Sequence, residues 1–582
     1  MITEGTLKEQ FEIVGCNIES DEALKKCIEL CHEFSKDEEQ IVEMWVAFSI
    51  SKFGNIDLTL NGIQQLERTE RNREKSPSKQ VVNDSISSAD VDNDEILHLY
   101  GYKPPVPVTP TQSKRQRSPI FGSSGPDNKV FAIETFSPST PSRYNSRTGP
   151  GKVTVIFGEK RTLWKIKKQF KVPIKLADFQ ANMPTDAMYM FDVISDGAIQ
   201  RAVSYMKLGK EICKRWGKIK ENKLLYTPDV KIVSQTNFVT WGRIRCDMYG
   251  KLNKVSTELE GICFYRDEIG EMRIKSSIVP INLSQVSEFS VFPGQIIAVE
   301  GVNMSGHLLE VKSVFSGGYA EPADAPKLEN DIIITVAAGP FTSIDNLNYE
   351  PLMNLLERIK EEEPHVLILI GPFVEYTHPQ IDNVSQFGTH QDLFEKMIST
   401  VMESLSEKCT QVVIIPSSRD AHHEAIYPTP SYYLPRSLQN SNLHSMPDPC
   451  VLDIDGLTIG ITAVDILKHL GNEELSSNSI KLSKLHRVAN HILSQACFYP
   501  LYPPAEEVNV DTNLWKNYAF MKKQPHILIL PSDMGNFCKN INDCVVLNPQ
   551  RLCKHSFARM HISSSENQKW DQSQIACEIL KV

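Results

Sequence analysis

Short apolar, β-branched runs recur through residues 330–582: Ile332 to Ala338, Val366 to Ile370, Val412 to Ile415, Leu457 to Ala463 and Ile527 to Leu530. No other feature of the chain narrows its possible folds so far. Runs this short, apolar throughout and without alternation, fit strands that are buried on both faces. Helical patterns separate several of them, for example Pro351 to Lys360 and Gln391 to Leu405. Strands alternating with helices predict an α/β domain over 330–582.

The remainder of the 582 residues is built differently. Within 231–318, strand patterns run Phe238 to Arg245, Val255 to Tyr265, Met272 to Leu283, Gln295 to Val302 and Leu308 to Phe315. Turn signals separate them, including Gly270 and Phe292-Pro293-Gly294. Strands this closely spaced predict a small β-barrel of the OB type. Residues 151–230 have mixed strand and helix character, around Trp164 to Phe170 and Ala198 to Trp216, and read as a lead-in segment to the OB domain. Over 73–150 Pro, Ser, Thr, Asn and Asp dominate with no visible period. Such a composition cannot bury enough apolar surface to offset its ordering entropy, so a disordered linker is predicted. Residues 1–72 read as an N-terminal helical bundle. Leu24, Cys27, Ile28 and Cys31 repeat at helical spacing, as do Ile41, Met44, Trp45 and Phe48, and Ser20 before Asp21 and Glu22 marks a helix start. The fold class is therefore multidomain α+β.

The formal net charge is −10, which argues against the chain being the main nucleic-acid grip of an assembly. The sequence shows no signal peptide and no apolar run of bilayer length, so a soluble intracellular protein is expected, with no membrane contact. Its 13 cysteines are scattered and include no Cys-x-x-Cys pair. Cys27 and Cys31, near His32, lie one helical turn apart and read as core. The linker holds Ser-Pro or Thr-Pro steps at Ser76, Thr109, Ser118, Ser137 and Thr140, all candidates for phosphorylation. Ser76 and Thr140 also have a basic residue, Lys79 or Arg143, two places after the proline, the pattern a cyclin-dependent kinase prefers. Lys114, Arg115 and Arg117 form a candidate nuclear import signal.

Working groups in open α/β folds sit just past the carboxyl ends of the strands. Here those positions hold Ala338-Gly339-Pro340-Phe341, Gly371-Pro372-Phe373, Pro416 to Glu424, Pro531-Ser532-Asp533 and, after the last run, Cys544 to Leu547, Asn548-Pro549-Gln550-Arg551. This order resembles a calcineurin-type metallophosphoesterase whose metal ligands have been replaced. A working centre needs two cations held by carboxylates and imidazoles from several strands. Glycine and proline supply no ligand. Only Asp420, His422, His423 and Glu424 could, and they share one loop. No catalytic residue, no metal and no cofactor is expected, and His422 and His423 are read as hydrogen-bonded residues that lock the loop.

Several stretches carry a wider resemblance. Pro416-Ser417-Ser418-Arg419-Asp420-Ala421-His422-His423-Glu424, with Tyr427-Pro428 and Pro430, is similar to the B subunits of replicative DNA polymerases. So are Phe498-Tyr499-Pro500-Leu501-Tyr502-Pro503-Pro504, Phe292-Pro293-Gly294-Gln295 and Tyr144-Asn145-Ser146-Arg147. With the helical N-terminus and the proline-directed linker, the pattern resembles the B subunits of DNA polymerase alpha best. That resemblance implies a non-catalytic accessory subunit for replication initiation and RNA–DNA primer synthesis, located in the nucleus. It implies an OB domain packed on an inactivated phosphoesterase domain. Together these hold the C-terminal domain of the catalytic subunit, primase joins through the complex, and the N-terminal domain tethers other replication proteins. Two Tyr/Pro loops offer candidate docking residues: Tyr427, Tyr432, Tyr433, Tyr499 and Tyr502.

Three rivals stay open. One is an active metal-dependent phosphoesterase. Another is a single-strand binder using Phe238, Trp241, Arg243, Arg245, Lys251 and Lys254, against which DNA contact is expected to be weak or indirect. The third is the B subunit of polymerase epsilon or delta, with epsilon harder to exclude because it shares a helical N-terminus.

Overall fold

The computed structural model describes residues 4–13, 16, 18, 21–33 and scattered positions from 41 to 67. It then describes 144 and 147–582, apart from 160–163, 165–169, 181, 186–187, 221–224, 248–249, 267–269, 271, 383–387, 478–480 and 565–569. Ser76, Thr109, Lys114, Arg115, Arg117, Ser118, Ser137 and Thr140 lie outside the described residues. The chain divides into two compact units, 1–126 and 127–582.

In the first unit, helices Glu4–Ile13 and Asp21–Glu33 bury one apolar stripe each. Leu7, Phe11, Leu24, Cys27, Leu30 and Cys31 join Ile41, Trp45, Ile63 and Leu66 in a single cluster. Burial pushes the Cys27 thiol up, as expected of a small core hydrophobe.

In the second unit the apolar runs build two sheets. The first has the strand order Val153–Phe157, Ile575–Lys581, Ser556–Ile562, Ile332–Ala338, Val366–Ile370, Gln411–Ile415 and Leu443–Ser445. The second has the order Ile174–Leu176, Cys450–Ile454, Leu457–Ile461, Ile527–Ile529, Cys544–Asn548 and Phe537–Ile541. Alternate side chains explain the layering. Ile334, Val336, Ile368, Ile370, Val413 and Ile415 meet Leu452, Ile459, Ile529, Val545 and Leu547 in the core between the sheets. Leu367, Leu369, Val412 and Ile414 point the other way, onto helices Glu350–Glu362 and His390–Ser404. Val451, Leu528 and Val546 face outward on the second sheet, onto helices Ile466–Glu473 and Lys484–Ser494.

A third sheet runs Leu225–Tyr226, Ser234–Cys246, Thr257–Arg266, Met272–Asn282, Leu309–Phe315 and Ile296–Asn303. Its end strand, Ile296–Asn303, pairs back onto Ser234–Cys246. A core of Phe238, Ile244, Leu259, Val279, Ile297 and Val311 fills it.

Three expectations need correction. Ala198 to Trp216 is not mixed in character but lies within one helix, Ile194–Lys220. Its buried stripe of Ala202, Tyr205, Ile212 and Trp216 covers Trp241, Ile262 and Ala298. Second, 151–230 is more than a lead-in to the third sheet. Val153–Phe157 forms the edge of the first sheet beside Ile575–Lys581, and Ile174–Leu176 pairs with Cys450–Ile454 in the second. The end of the predicted linker is also fixed: Tyr144 is buried, Asn354 Nδ2 donates to its hydroxyl at 3.1 Å, and Arg147 Nε donates to the Val582 carbonyl at 3.0 Å. Third, the run at 544 is not the last strand. Ser556–Ile562 and Ile575–Lys581 follow it, hidden from an apolar-run search by Arg559 and Glu578, which pair at 2.8 Å.

The third sheet is fastened to the rest of the unit. Gln495 accepts from the Ile296 N–H at 2.8 Å and donates to its carbonyl at 3.0 Å, mimicking a ladder partner. Gly294, at φ 95°, closes the Phe292-Pro293-Gly294 turn against the Tyr502 loop. A Cβ there would sit 2.5 Å from the Tyr502 nitrogen, so only glycine fits.

Candidate functional site

The strand ends of both sheets converge on one place, where an α/β domain would carry chemistry. Gly339 follows Ile332–Ala338 and Gly371 follows Val366–Ile370. Neither position has room for a ligand side chain. A Cβ on Gly339 would lie 2.0 Å from the Pro372 carbonyl oxygen, and one on Gly371 would lie 2.8 Å from Asp420 Oδ2.

Asp420, after Gln411–Ile415, is turned inward as an acceptor. Its carboxylate takes the N–H groups of Phe373 at 2.5 Å, Val374 at 2.9 Å and Ser417 at 3.1 Å, and the Tyr432 hydroxyl. Burial pushes the carboxyl up to about 7, while these donors pull it back. Asp420 thus ties three loop segments together, and its lone pairs are spent on them.

His422 departs from expectation. Its side chain is 1% exposed, and neither ring nitrogen has a hydrogen-bond partner among the described residues. It is stacked on Phe394, with centroids 4.2 Å apart, and on Tyr432 at 5.2 Å. Burial drives it down to about 3, so it is neutral, and its 4.0 Å approach to Asp420 is no ion pair. His422 therefore fills space as an aromatic ring. His423 does lock the loop as expected, its Nε2 bonding the Pro430 carbonyl at 2.7 Å.

The late strand ends are equally committed. Asn548 Oδ1 accepts from Ser532 N at 2.9 Å and Gln550 N at 2.8 Å, and its Nδ2 donates to the Gly535 carbonyl at 3.1 Å. Arg551 is 1% exposed and donates from Nη1 to the Gly339 carbonyl at 3.3 Å. Among the described residues no group of His, Cys, Asp and Glu could hold a metal ion. A two-metal centre does not fit: two strand ends are sterically closed, the carboxylate after the third is spent on loop donors, and the fifth carries both a saturated amide and a cation.

Beside this closed centre opens a cleft of about 210 Å³ lined by Tyr376, Ser418, Arg419, Lys468, His469 and Asp533. Two of its charges are matched locally. Arg419 Nε bonds Glu375 at 3.2 Å, and Lys554 neutralises Asp533 at 2.9 Å.

Of the tyrosines expected to dock a partner, three are core residues. Tyr427 is 0%, Tyr499 1% and Tyr432 4% exposed, so none offers a surface. Tyr502 is half-buried and holds Arg243 and Arg201 over its ring at 4.8 and 5.0 Å. Tyr433 is 79% exposed. The single-strand-binding set does not form one surface: Lys251 and Lys254 are exposed, but the rest is committed elsewhere. Phe238 and Trp241 are fully buried, Arg243 pairs with Glu260, and Arg245 pairs with Glu258 at 3.0 Å. Sequence reasoning missed an apolar surface before and along the start of helix Ile194–Lys220: Met188, Met190, Phe191, Val193, Ile194 and Ile199 are 47–87% exposed. The apolar letters were legible, but nothing local said that they face solvent.

Family models match three parts of the chain. They describe the B subunit of DNA polymerases alpha and epsilon over 334–539, the N-terminal part of the DNA polymerase alpha B subunit over 5–73, and the OB domain of the DNA polymerase alpha B subunit over 205–317. These matches define the class: a replicative-polymerase accessory subunit of mixed α and β structure with an OB domain, a non-catalytic subunit. The DNA polymerase alpha B subunit of Mus musculus is 30% identical over 96% of this chain and 95% of its own length. The same-named proteins of Rattus norvegicus and Drosophila melanogaster are each 29% identical, over 96% and 100% of this chain. A solved structure, TT1561 of Thermus thermophilus, covers 39% of this chain at a TM-score of 0.19, a likeness that carries no argument. The chain belongs to the family of DNA polymerase alpha B subunits. The epsilon alternative is not favoured.

Proposed function

We propose that this accessory subunit of polymerase alpha grips the C-terminal domain of the catalytic subunit with the apolar surface at 188–199, not with the buried tyrosines. The observation that carries the reading is that this surface is exposed yet held in place. Met190 N donates to Asp511 Oδ2 at 2.8 Å, Arg201 donates to Thr512 at 2.8 Å, and Asn513 bonds Asp192. Pre-ordered apolar side chains lose little entropy on docking, and exposed clusters of this kind mark interaction sites. The only charges among the described residues of the stretch are Asp192 and Asp196, and the next cation, Arg201, is stacked on Tyr502. The surface therefore suits a partner with an apolar face and a basic rim. Primase joins through the complex, and residues 1–72 tether other replication proteins. The Ser/Thr-Pro steps of 73–150 are phosphorylated, and the subunit works in the nucleus without gripping DNA itself. Residues 330–582 are an inactivated phosphoesterase fold, supported by the paired sheets and the ligand-free strand ends. The test is Phe191→Ala with Ile194→Asp. Affinity for the catalytic subunit's C-terminal domain should fall at least tenfold, the loss a hot spot carries, while the melting temperature of the chain holds. Undiminished binding would place the docking surface elsewhere.

A further inference from the structure

Arg551 is the residue that the domain's chemistry leaves unexplained. It follows Cys544–Asn548 and is 1% exposed, and a buried guanidinium is costly unless opposing charge surrounds it. Its surroundings come from the other strand ends. Nη1 reaches the Gly339 carbonyl, and Nη2 stands 3.7 Å from Asp465 Oδ2 without a hydrogen bond between them. Asp448, 0% exposed at the head of Cys450–Ile454, and Asp533, after Ile527–Ile529, are both within its electrostatic reach. The Arg551 Nε has no partner among the described residues. Arg551 is thus placed by charge rather than by a full set of hydrogen bonds.

Asp465 also serves as an acceptor, taking Lys468 N at 3.0 Å and Asp533 N at 2.7 Å. Asp448 Oδ1 takes Ala463 N at 3.0 Å. These acids hold the loops between the sheets together, and a cation in their midst offsets their mutual repulsion. In a two-metal enzyme that cation would be the metal pair.

We propose that Arg551 is a resident cation: its guanidinium supplies, from within the chain, the positive charge that metal ions would supply at these strand ends, and thereby closes the site to metals. The comparison with metals rests on the phosphoesterase reading of 330–582. The charge coupling rests only on the geometry.

The experiment is a double-mutant cycle on the full chain, with Arg551→Met, Asp465→Asn and both together, read as folding equilibrium constants from denaturant unfolding. Arg551→Met should lower the constant roughly a hundredfold or more, as removal of one partner from a buried pair does. In the Asp465→Asn background the same change should cost at least tenfold less. If Arg551→Met leaves too little folded protein to measure, Arg551→Lys takes its place in the cycle. As a retained charge, it should fold and cost less than Met. Equal losses in both backgrounds, or Lys as damaging as Met, would show that Arg551 acts only by packing and overturn the proposal. A separate arm titrates wild-type protein with Mn²⁺. No Asp465-dependent rise in melting temperature is expected, and such a rise would also overturn it. Phosphodiester turnover with Mn²⁺ would instead bring down the inactive-phosphoesterase reading and leave the charge cycle standing.

Discussion

At the scale of single residues, the closed centre depends on Asp420, Tyr432 and His422. Tyr432→Phe removes one donor from a fully buried carboxylate, and leaving such a group short of a partner costs about 1–3 kcal/mol. The cost should depend on pH in a definite direction. Burial raises the folded Asp420 carboxyl to about 7, above its ordinary value of about 4. The folded state then holds a proton that the unfolded state has lost, so this group lowers stability as pH rises from about 4 to about 7. The Tyr432 hydroxyl favours the charged form, so Tyr432→Phe should lower the melting temperature more at pH 8 than at pH 5. An equal drop at both would show that the hydroxyl does not serve the carboxylate. For His422 the stacked, neutral ring predicts that Phe substitutes at a cost under about 1.5 kcal/mol. His422→Asp, which buries a charge, should unfold the loop. Tolerance of Asp with loss on Phe, measured by thermal melts, would restore a polar role.

At the scale of elements, the third sheet is held to the second by polar seams. Glu474 is the centre of one, accepting from Ser290 Oγ at 2.5 Å and from Arg487 at 2.8 and 2.9 Å. Burial works to raise its carboxyl, but His491, Arg487 and Ser290 hold it down to about 2. A depressed folded value means stability that is present above the ordinary carboxylate range and lost as pH falls toward about 2. Glu474→Gln should therefore melt lower than wild type at pH 7, with the gap narrowing as pH falls from about 4 toward about 2. A gap unchanged across that range would refute the assignment. Helix Ile194–Lys220 makes a second junction through Gly209, where a Cβ would fall 2.2 Å from Trp241 Cε3. Gly209→Ala gains helix propensity yet should still destabilise by about 1–3 kcal/mol, because overpacking outweighs it. A rise in the unfolding midpoint would mean that Trp241 yields easily.

For the whole molecule, the boundary between tether and folded unit falls earlier than composition suggests. Tyr144 and Arg147 are anchored, and Val153–Phe157 is a sheet strand. A chain starting at residue 140 should melt within a degree or two of the second unit's transition in the full protein. One starting at 158 should melt clearly lower, since it exposes the Ile575–Lys581 edge and loses Val155 and Phe157 from the core. Identical melts would show that the strand contributes nothing.

The sequence by itself determined the strands that are apolar end to end. Ile332–Ala338 and Val366–Ile370 fall where their letters placed them, because a strand buried on both faces needs no outside information to be seen. It also showed that Gly339, Pro340, Gly371 and Pro372 bring no ligands. The helix at 194–220 was not read: Ala202, Tyr205, Ile212 and Trp216 have helical spacing, but Gly209 and Gly217 weakened the pattern and the segment looked mixed. What local pattern could not hold was pairing across long separations. Val153–Phe157 pairs with Ile575–Lys581, and Arg559 becomes tolerable in a central strand only beside Glu578 and Glu362. The site divides the same way. That glycine and proline stand at the first two strand ends is written in the residue types. That Tyr427, Tyr432 and Tyr499 face inward while Phe191 and Ile194 face outward, and that Arg551 stands as a cation among acids from other strands, was decided only by the tertiary structure. Burial and charge pairing are properties of neighbours in space, and those neighbours lie up to hundreds of residues apart along the chain.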